Sequence, residues 1–178
     1  VKYQEEIDWI VSNKNRNKFI SDLSQKLKGN TLVLFNFVEK HGKKLYEMTK
    51  DGEKEVYFIH GKTEVEDRES IRKYLDSKND CVLIASYGTC STGINIKNIH
   101  NIIFASPSKS IIRVLQSIGR GLRISESKNK AVVYDVSDDL CWGKYVNHTL
   151  KHLHERIKIY TNEKFNFELV KIRLEEKL

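Results

Sequence analysis

The chain is poor in the residues that cross-link or interrupt a fold: 178 residues hold three cysteines and one proline. Its apolar runs are strand-sized, and none reaches the roughly 18 residues that a membrane-spanning helix needs, so a soluble protein is expected. Cys81, Cys90 and Cys141 are odd in number, far apart and never spaced C-x-x-C. That pattern points to reduced thiols in a cytoplasmic protein, packed as small hydrophobes. No basic leader with an apolar stretch and a small-residue cleavage site opens the sequence, so export is not expected. Acidic residues are also in deficit. Lys and Arg number 31 against 24 Asp and Glu, a net charge of +7, and such a surface favours an anionic partner, nucleic acid before a membrane. The excess is concentrated in residues 108–130, where Lys109, Arg113, Arg120, Arg123, Lys128 and Lys130 face a single acid, Glu126.

What is present is a series of short apolar runs separated by helical patterns. The first 28 residues predict a helix with Phe19, Leu23 and Leu27 on one stripe, closed by Gly29. "TLVLFNFV" (31–38) reads as a strand buried on both faces, followed by a helix through Leu45 and Met48 that ends near Asp51-Gly52. "EVYFIH" (55–60) is a second strand. "CVLIAS" (81–86) is a third, followed by the small-residue loop "YGTCSTGIN". "NIIFAS" (101–106), closed by Pro107, is a fourth, and "AVVYDV" (131–136) a fifth. Residues 108–118 predict a helix through Ile111, Val114, Leu115 and Ile118. Strands alternating with helices imply an α/β fold, one mainly parallel sheet with right-handed crossovers and helices on both faces. From 138 onward a polar helix with Leu150, Leu153 and Ile157, then Phe165 and Phe167, predicts a terminal helical appendage.

Gly61-Lys62-Thr63 has the ending of a phosphate-binding loop, G-x-x-x-x-G-K-[ST]. Five residues before Gly61, however, stands Val56, inside the second strand, so the loop has no room to form. Thr63-Glu64-Val65-Glu66 instead fits a capping box, which starts a helix over about 64–77. Phosphate chemistry is better placed in "QSIGRGLR" (116–123), where two arginines three residues apart, beside glycines, can present two planar guanidinium forks to phosphate oxygens.

This stretch resembles motif VI, Q-x-x-G-R-x-x-R, of superfamily 2 helicases. "TLVLFNFVEKHGKKL" resembles motif IV of the second RecA-like domain of that family. "VYFIHGKTEVEDRESI" resembles the strand-glycine-helix segment that follows, with Arg68 at its usual arginine, and "VLIASYGTCSTGINIKNIHNIIFAS" resembles motif V. The match covers residues 31–136. Within the family the resemblance is to branched-DNA remodelling helicases. Ser86 stands where a threonine is common and Asn95 where an aspartate is frequent. Ser117 replaces the arginine common in DEAD-group RNA helicases.

The resemblance implies a RecA-like three-layer domain over residues 29–137, preceded by a helical linker segment (1–28) and followed by a helical appendage (138–178). It implies ATP with Mg2+, held mainly by a first RecA-like domain of the same protein, whose phosphate loop this chain lacks. Arg120 and Arg123 would then act as arginine fingers, while Gln116, Gly93 and Asn95 meet the nucleotide. Asn36, Gly61, Lys62, Ser86 and Thr92 would contact a DNA backbone, branched or single-stranded, with little sequence preference. The expected activity is ATP-dependent unwinding or branch migration of DNA in recombination and repair. An RNA helicase domain and a nucleic-acid-binding module without motor function remain open alternatives. His148 and His152 are spaced i, i+4 but carry no further ligand pattern, so no metal is expected. Trp142, Tyr145 and Tyr160 suit either base stacking or docking of the terminal helix, the simpler expectation.

Overall fold

The computed structural model describes residues 3–91, 96–116 and 131–174. Among the described residues five strands form one sheet: β1 (Thr31–Phe35), β2 (Val56–Ile59), β3 (Val82–Ser86), β4 (Asn101–Phe104) and β5 (Val132–Asp135). All neighbouring pairs are parallel, in the order β2-β3-β1-β4-β5. The central strand β1 and its neighbour β3 are buried at every position, the reason both read as continuous apolar runs with no alternation.

Alternate residues serve opposite faces. Leu32, Leu34, Leu83, Ala85, Ile102 and Phe104 pack with Leu75 of α4 (Val65–Ser77) and with Ile111 and Val114 of α6 (residues 111–116). Val33, Phe35, Val82, Ile84, Ile103 and Ala105 pack with Ile20 of α2 (Lys14–Lys26) and Leu45 of α3 (Lys43–Thr49). The outcome is the three-layer α/β arrangement expected from the strand and helix order. A π-helical turn, Val38–Gly42, leads into α3.

The described residues of the leading segment form two helices. Asn13 ends α1 (Tyr3–Ser12) and caps α2, its side chain accepting from the Arg16 amide at 2.9 Å. α2 ends at Lys26, and Gly29, past it, takes φ +83°, a left-handed turn that glycine adopts without strain. Phe19, Leu23 and Leu27 do lie on the sheet side, half-buried against the second core cluster.

Four local expectations are corrected. Glu64 precedes α4 without a side-chain cap, and the Thr63 hydroxyl accepts instead from the His60 amide at 3.0 Å; a turn amide closer than the helix amides wins it. The small-residue loop after β3 opens as a helical turn, α5 (Tyr87–Ser91), because Ser86 caps it: the Ser86 hydroxyl is 2.6 Å from Thr89 Oγ1 and accepts from the Thr89 amide. Cys81 and Cys90 are buried as expected, and burial pushes the Cys90 thiol up to about 12, but Cys141 is exposed.

The last correction concerns α7 (His148–Asn162), whose buried residues are Thr149, Arg156 and Tyr160, with Leu150, Leu153 and Ile157 only half-buried. It docks largely through polar contacts. The Arg156 guanidinium donates to both oxygens of Asp135 at 2.7 and 2.8 Å, and the Tyr160 hydroxyl donates to the same carboxylate at 2.9 Å. Glu6 of α1 accepts from the amides of His148 and Thr149 at the helix start, where a negative charge is favoured. Burial raises the Glu6 carboxyl pKa, but the hydrogen bonds from Thr149, Asn147 and His148 outweigh it and hold it below the usual value.

Candidate functional site at the carboxyl edge of the sheet

In open parallel sheets ligands gather outside the carboxyl ends of the strands, where the direction of the crossovers reverses. Here the chain leaves β1 toward β2 on one side and leaves β4 toward β5 on the other, so the reversal falls between β1 and β4. Asn36 is the first residue past β1 and is exposed. Its amide donates at 2.9 Å to the hydroxyl of Ser106, two residues past β4. The two strand ends are therefore tied at the reversal point.

Gly61 and Lys62 lie in the exposed turn after β2, and Ser86 ends β3. Asn36, Gly61, Lys62 and Ser86 thus share one edge across the adjacent strands β2, β3 and β1. Their chemistry differs from what identity alone suggests. Lys62 presents an exposed side chain, while Ser86 is buried with its hydroxyl engaged by Thr89. The Gly61-Lys62-Thr63 turn closes on His60: the Lys62 amide donates to His60 Nδ1 at 3.3 Å and the Thr63 amide to the His60 carbonyl at 2.9 Å. Amides turned toward His60 form no cradle for phosphate. Gln116 is the last described residue of α6 and is exposed. Thr92, Gly93, Asn95, Arg120 and Arg123 lie outside the described residues.

Beneath the edge is a buried polar network that sequence reasoning missed. Arg16, 2% exposed, donates through Nε to Asp138 Oδ1 at 2.7 Å, and through its terminal nitrogens to the carbonyls of Ala105 and Val136. It thereby joins α2 to the ends of β4 and β5. His41, fully buried in the π-helical turn, has Nδ1 2.6 Å from the Ser106 hydroxyl and Nε2 2.9 Å from Asn17 Oδ1. The Tyr87 hydroxyl donates to the Ser106 carbonyl. Arg16, Asn17, Ile20, Ser21 and Ser24 are all buried on α2. The spacing is helical, and only the polarity hid it.

Burial, then the nearby positive charges of Arg16 and Lys44, push the His41 imidazole down to about 3. The ring is neutral in the folded protein at neutral pH. Its folded pKa lies below the ordinary value, so the unfolded chain binds the proton first, and the stability from this site is complete above about 6.5 and lost as pH falls toward 3. Between pH 7 and pH 5 the loss is expected to be about 2 kcal/mol. Urea unfolding at the two values measures it, and His41→Gln should flatten most of that dependence.

A parallel five-stranded sheet with helices on both faces defines an α/β domain of the RecA-like kind. The chain belongs to the helicase conserved C-terminal domain family, which matches residues 15–125. It is similar to the ATP-dependent DNA helicase UvsW of Enterobacteria phage T4, 38% identical over 97% of this chain and 37% of that protein. The crystal structure of T4 UvsW matches 98% of this chain and 38% of its own, with a TM-score of 0.86. The chain therefore spans little more than a third of that relative, and it is the second RecA-like domain of a superfamily 2 helicase architecture. The E. coli DEAD-box protein SrmB, 15% identical with a TM-score of 0.55 over 68% of this chain and 69% of its own, shares the fold.

Proposed function

We propose that the chain is the second motor domain of an ATP-dependent DNA helicase or translocase that unwinds or branch-migrates branched DNA in recombination and repair. The supporting observation is the alignment of Asn36, Gly61, Lys62 and Ser86 along one carboxyl edge, in a chain 38% identical to a DNA helicase over almost its whole length. Lys62 and the Asn36 side chain would meet backbone phosphates, and Ser86 would hold α5 so that Thr92 beyond it reaches the same strand. Sequence-independent contacts of this type suit a protein that moves along its substrate.

ATP with Mg2+ would be held mainly by the first RecA-like domain of the same cytoplasmic protein, and the bound nucleotide supplies the γ-phosphate whose transfer drives motion. This chain's part is to add positive charge with Arg120 and Arg123, with Gln116, Gly93 and Asn95 beside the nucleotide. ATP bridging two such domains draws them together, and hydrolysis releases them.

ATP hydrolysis by the full-length protein, measured with forked DNA, blunt duplex DNA and RNA as stimulants, tests the proposal. Forked DNA is expected to stimulate most. Greater stimulation by RNA would make it an RNA helicase, and no stimulation by any of them would leave a binding module without motor function.

A further inference from the structure

Docking of the terminal helix accounts for Tyr160, which is 9% exposed, but not for Trp142, which is 86% exposed. The indole stands on a closed turn. The Trp142 amide donates to the Tyr145 carbonyl at 3.1 Å, the Tyr145 amide donates back to Trp142 at 2.9 Å, and Gly143 between them has φ +56°. The base of the turn is held firmly. Asn147, 1% exposed, accepts from the Leu140 amide and donates through Nδ2 to the Asp138 carbonyl and to Glu6, each at 3.0 Å. Asp139 accepts from the Cys141 amide at 3.2 Å. A large aromatic side chain is thus carried on a turn whose backbone is held by a buried network, and is itself left in water.

Beside the acid Asp139, its neighbours are cationic and aromatic. Lys144 is exposed at the tip, Tyr145 is 37% exposed, and Lys151 Nζ lies 5.9 Å from the centre of the Tyr145 ring. From these features we infer that the Trp142–Tyr145 turn is a stacking platform for an unpaired base, with Lys144 and Lys151 meeting the flanking phosphates. Base on aromatic face plus lysine on phosphate is the chemistry of single-strand recognition, and it tolerates any sequence because every base has a π-face. A protein partner would suit the exposed tryptophan and tyrosine but not the two lysines beside them, since lysine is depleted at protein interfaces.

The position agrees. The turn is tied to Asp138, three residues past the end of β5, while Lys62 follows β2 at the other end of the sheet order. Four strand spacings of about 4.8 Å separate β2 from β5. A single strand laid along the carboxyl edge from Lys62 past Asn36 would run toward the β5 end, after which the chain enters the Trp142 turn. Stacking here presupposes the nucleic-acid role proposed above, and it adds that the edge holds an unpaired strand at its β5 end.

Fluorescence anisotropy of the full-length protein with a labelled single-stranded oligodeoxynucleotide, and with a blunt duplex of the same sequence, tests the inference. Trp142→Ala is expected to weaken single-strand binding about 5- to 100-fold and duplex binding less than about twofold, and Trp142→Phe to retain most of the single-strand affinity. Wild-type binding with no effect of Trp142→Ala overturns the stacking and leaves the nucleic-acid role standing. Equal losses on both DNAs also overturn it and indicate a contact with another part of the protein. Failure of the wild type to bind either DNA at low salt removes the nucleic-acid role itself.

Discussion

The full-length protein carrying Arg120→Ala is expected to lose about 10³-fold or more of its DNA-stimulated ATP turnover, with Arg123→Ala similar. The expected effect is electrostatic. Charge shifts onto the phosphoryl oxygens as the terminal phosphate transfers, and a guanidinium placed there from a second domain interacts more strongly with the transition state than with bound ATP. The loss should therefore appear in kcat more than in the KM for ATP. Arg120→Lys should restore little, because an ammonium is a point charge and cannot offer the two parallel donors of a planar fork. Losses in the double variant should fall well short of the product of the single ones, as expected of two groups that would act as a unit on one phosphate. Steady-state turnover with saturating DNA measures all four variants. Turnover within a few-fold of wild type in both single alanine variants would remove the finger assignment.

Arg16→Ala is expected to destabilise the fold by about 3–5 kcal/mol, which lowers the melting temperature by about 6–20 °C in a domain of this size. Arg16 and Asp138 have side-chain exposures of 2% and 14%, so solvent screening does little to soften the loss. Removing the guanidinium leaves the Asp138 carboxylate buried without its cation, and the Asp138 Oδ2 already has no hydrogen-bond partner among the described residues. It also frees the carbonyls of Ala105 and Val136 at the ends of β4 and β5. Replacing both charges, as in Arg16→Met with Asp138→Leu, should recover much of the loss, because no charge then stays buried unpaired. Thermal unfolding of the three variants beside wild type measures this, and a loss below about 1 kcal/mol for Arg16→Ala would show that the network relaxes around the gap.

Much of the fold was legible because its signals are local. The five apolar runs each became a strand within a residue or three of the expected ends, and the helices between them followed. The resemblance of four segments to helicase motifs agrees with the family match over residues 15–125. The candidate site was legible in part. Asn36, Gly61 and Lys62 reach an exposed edge, but the hydroxyl of Ser86 belongs to Thr89. Thr63 matched a helix-cap pattern and closes a turn instead, since two nearby amides competed for one oxygen and only the backbone path of residues 60–63 selected between them. Trp142 and Tyr160 looked alike in the sequence and ended on opposite sides of the solvent boundary.

Hydrophobic periodicity by itself determined the alternation of strands and helices, and the single phosphate-loop ending was excluded by Val56 alone, because chain spacing and the reach of a few residues are local properties. Only the tertiary structure decided which polar groups are buried and whom they serve. Arg16 meets Asp138 across 122 residues of sequence, and Glu6 meets the Thr149 amide across 143. A charge can be buried only where its partner and low-dielectric surroundings arrive together, and that meeting is a property of the folded chain.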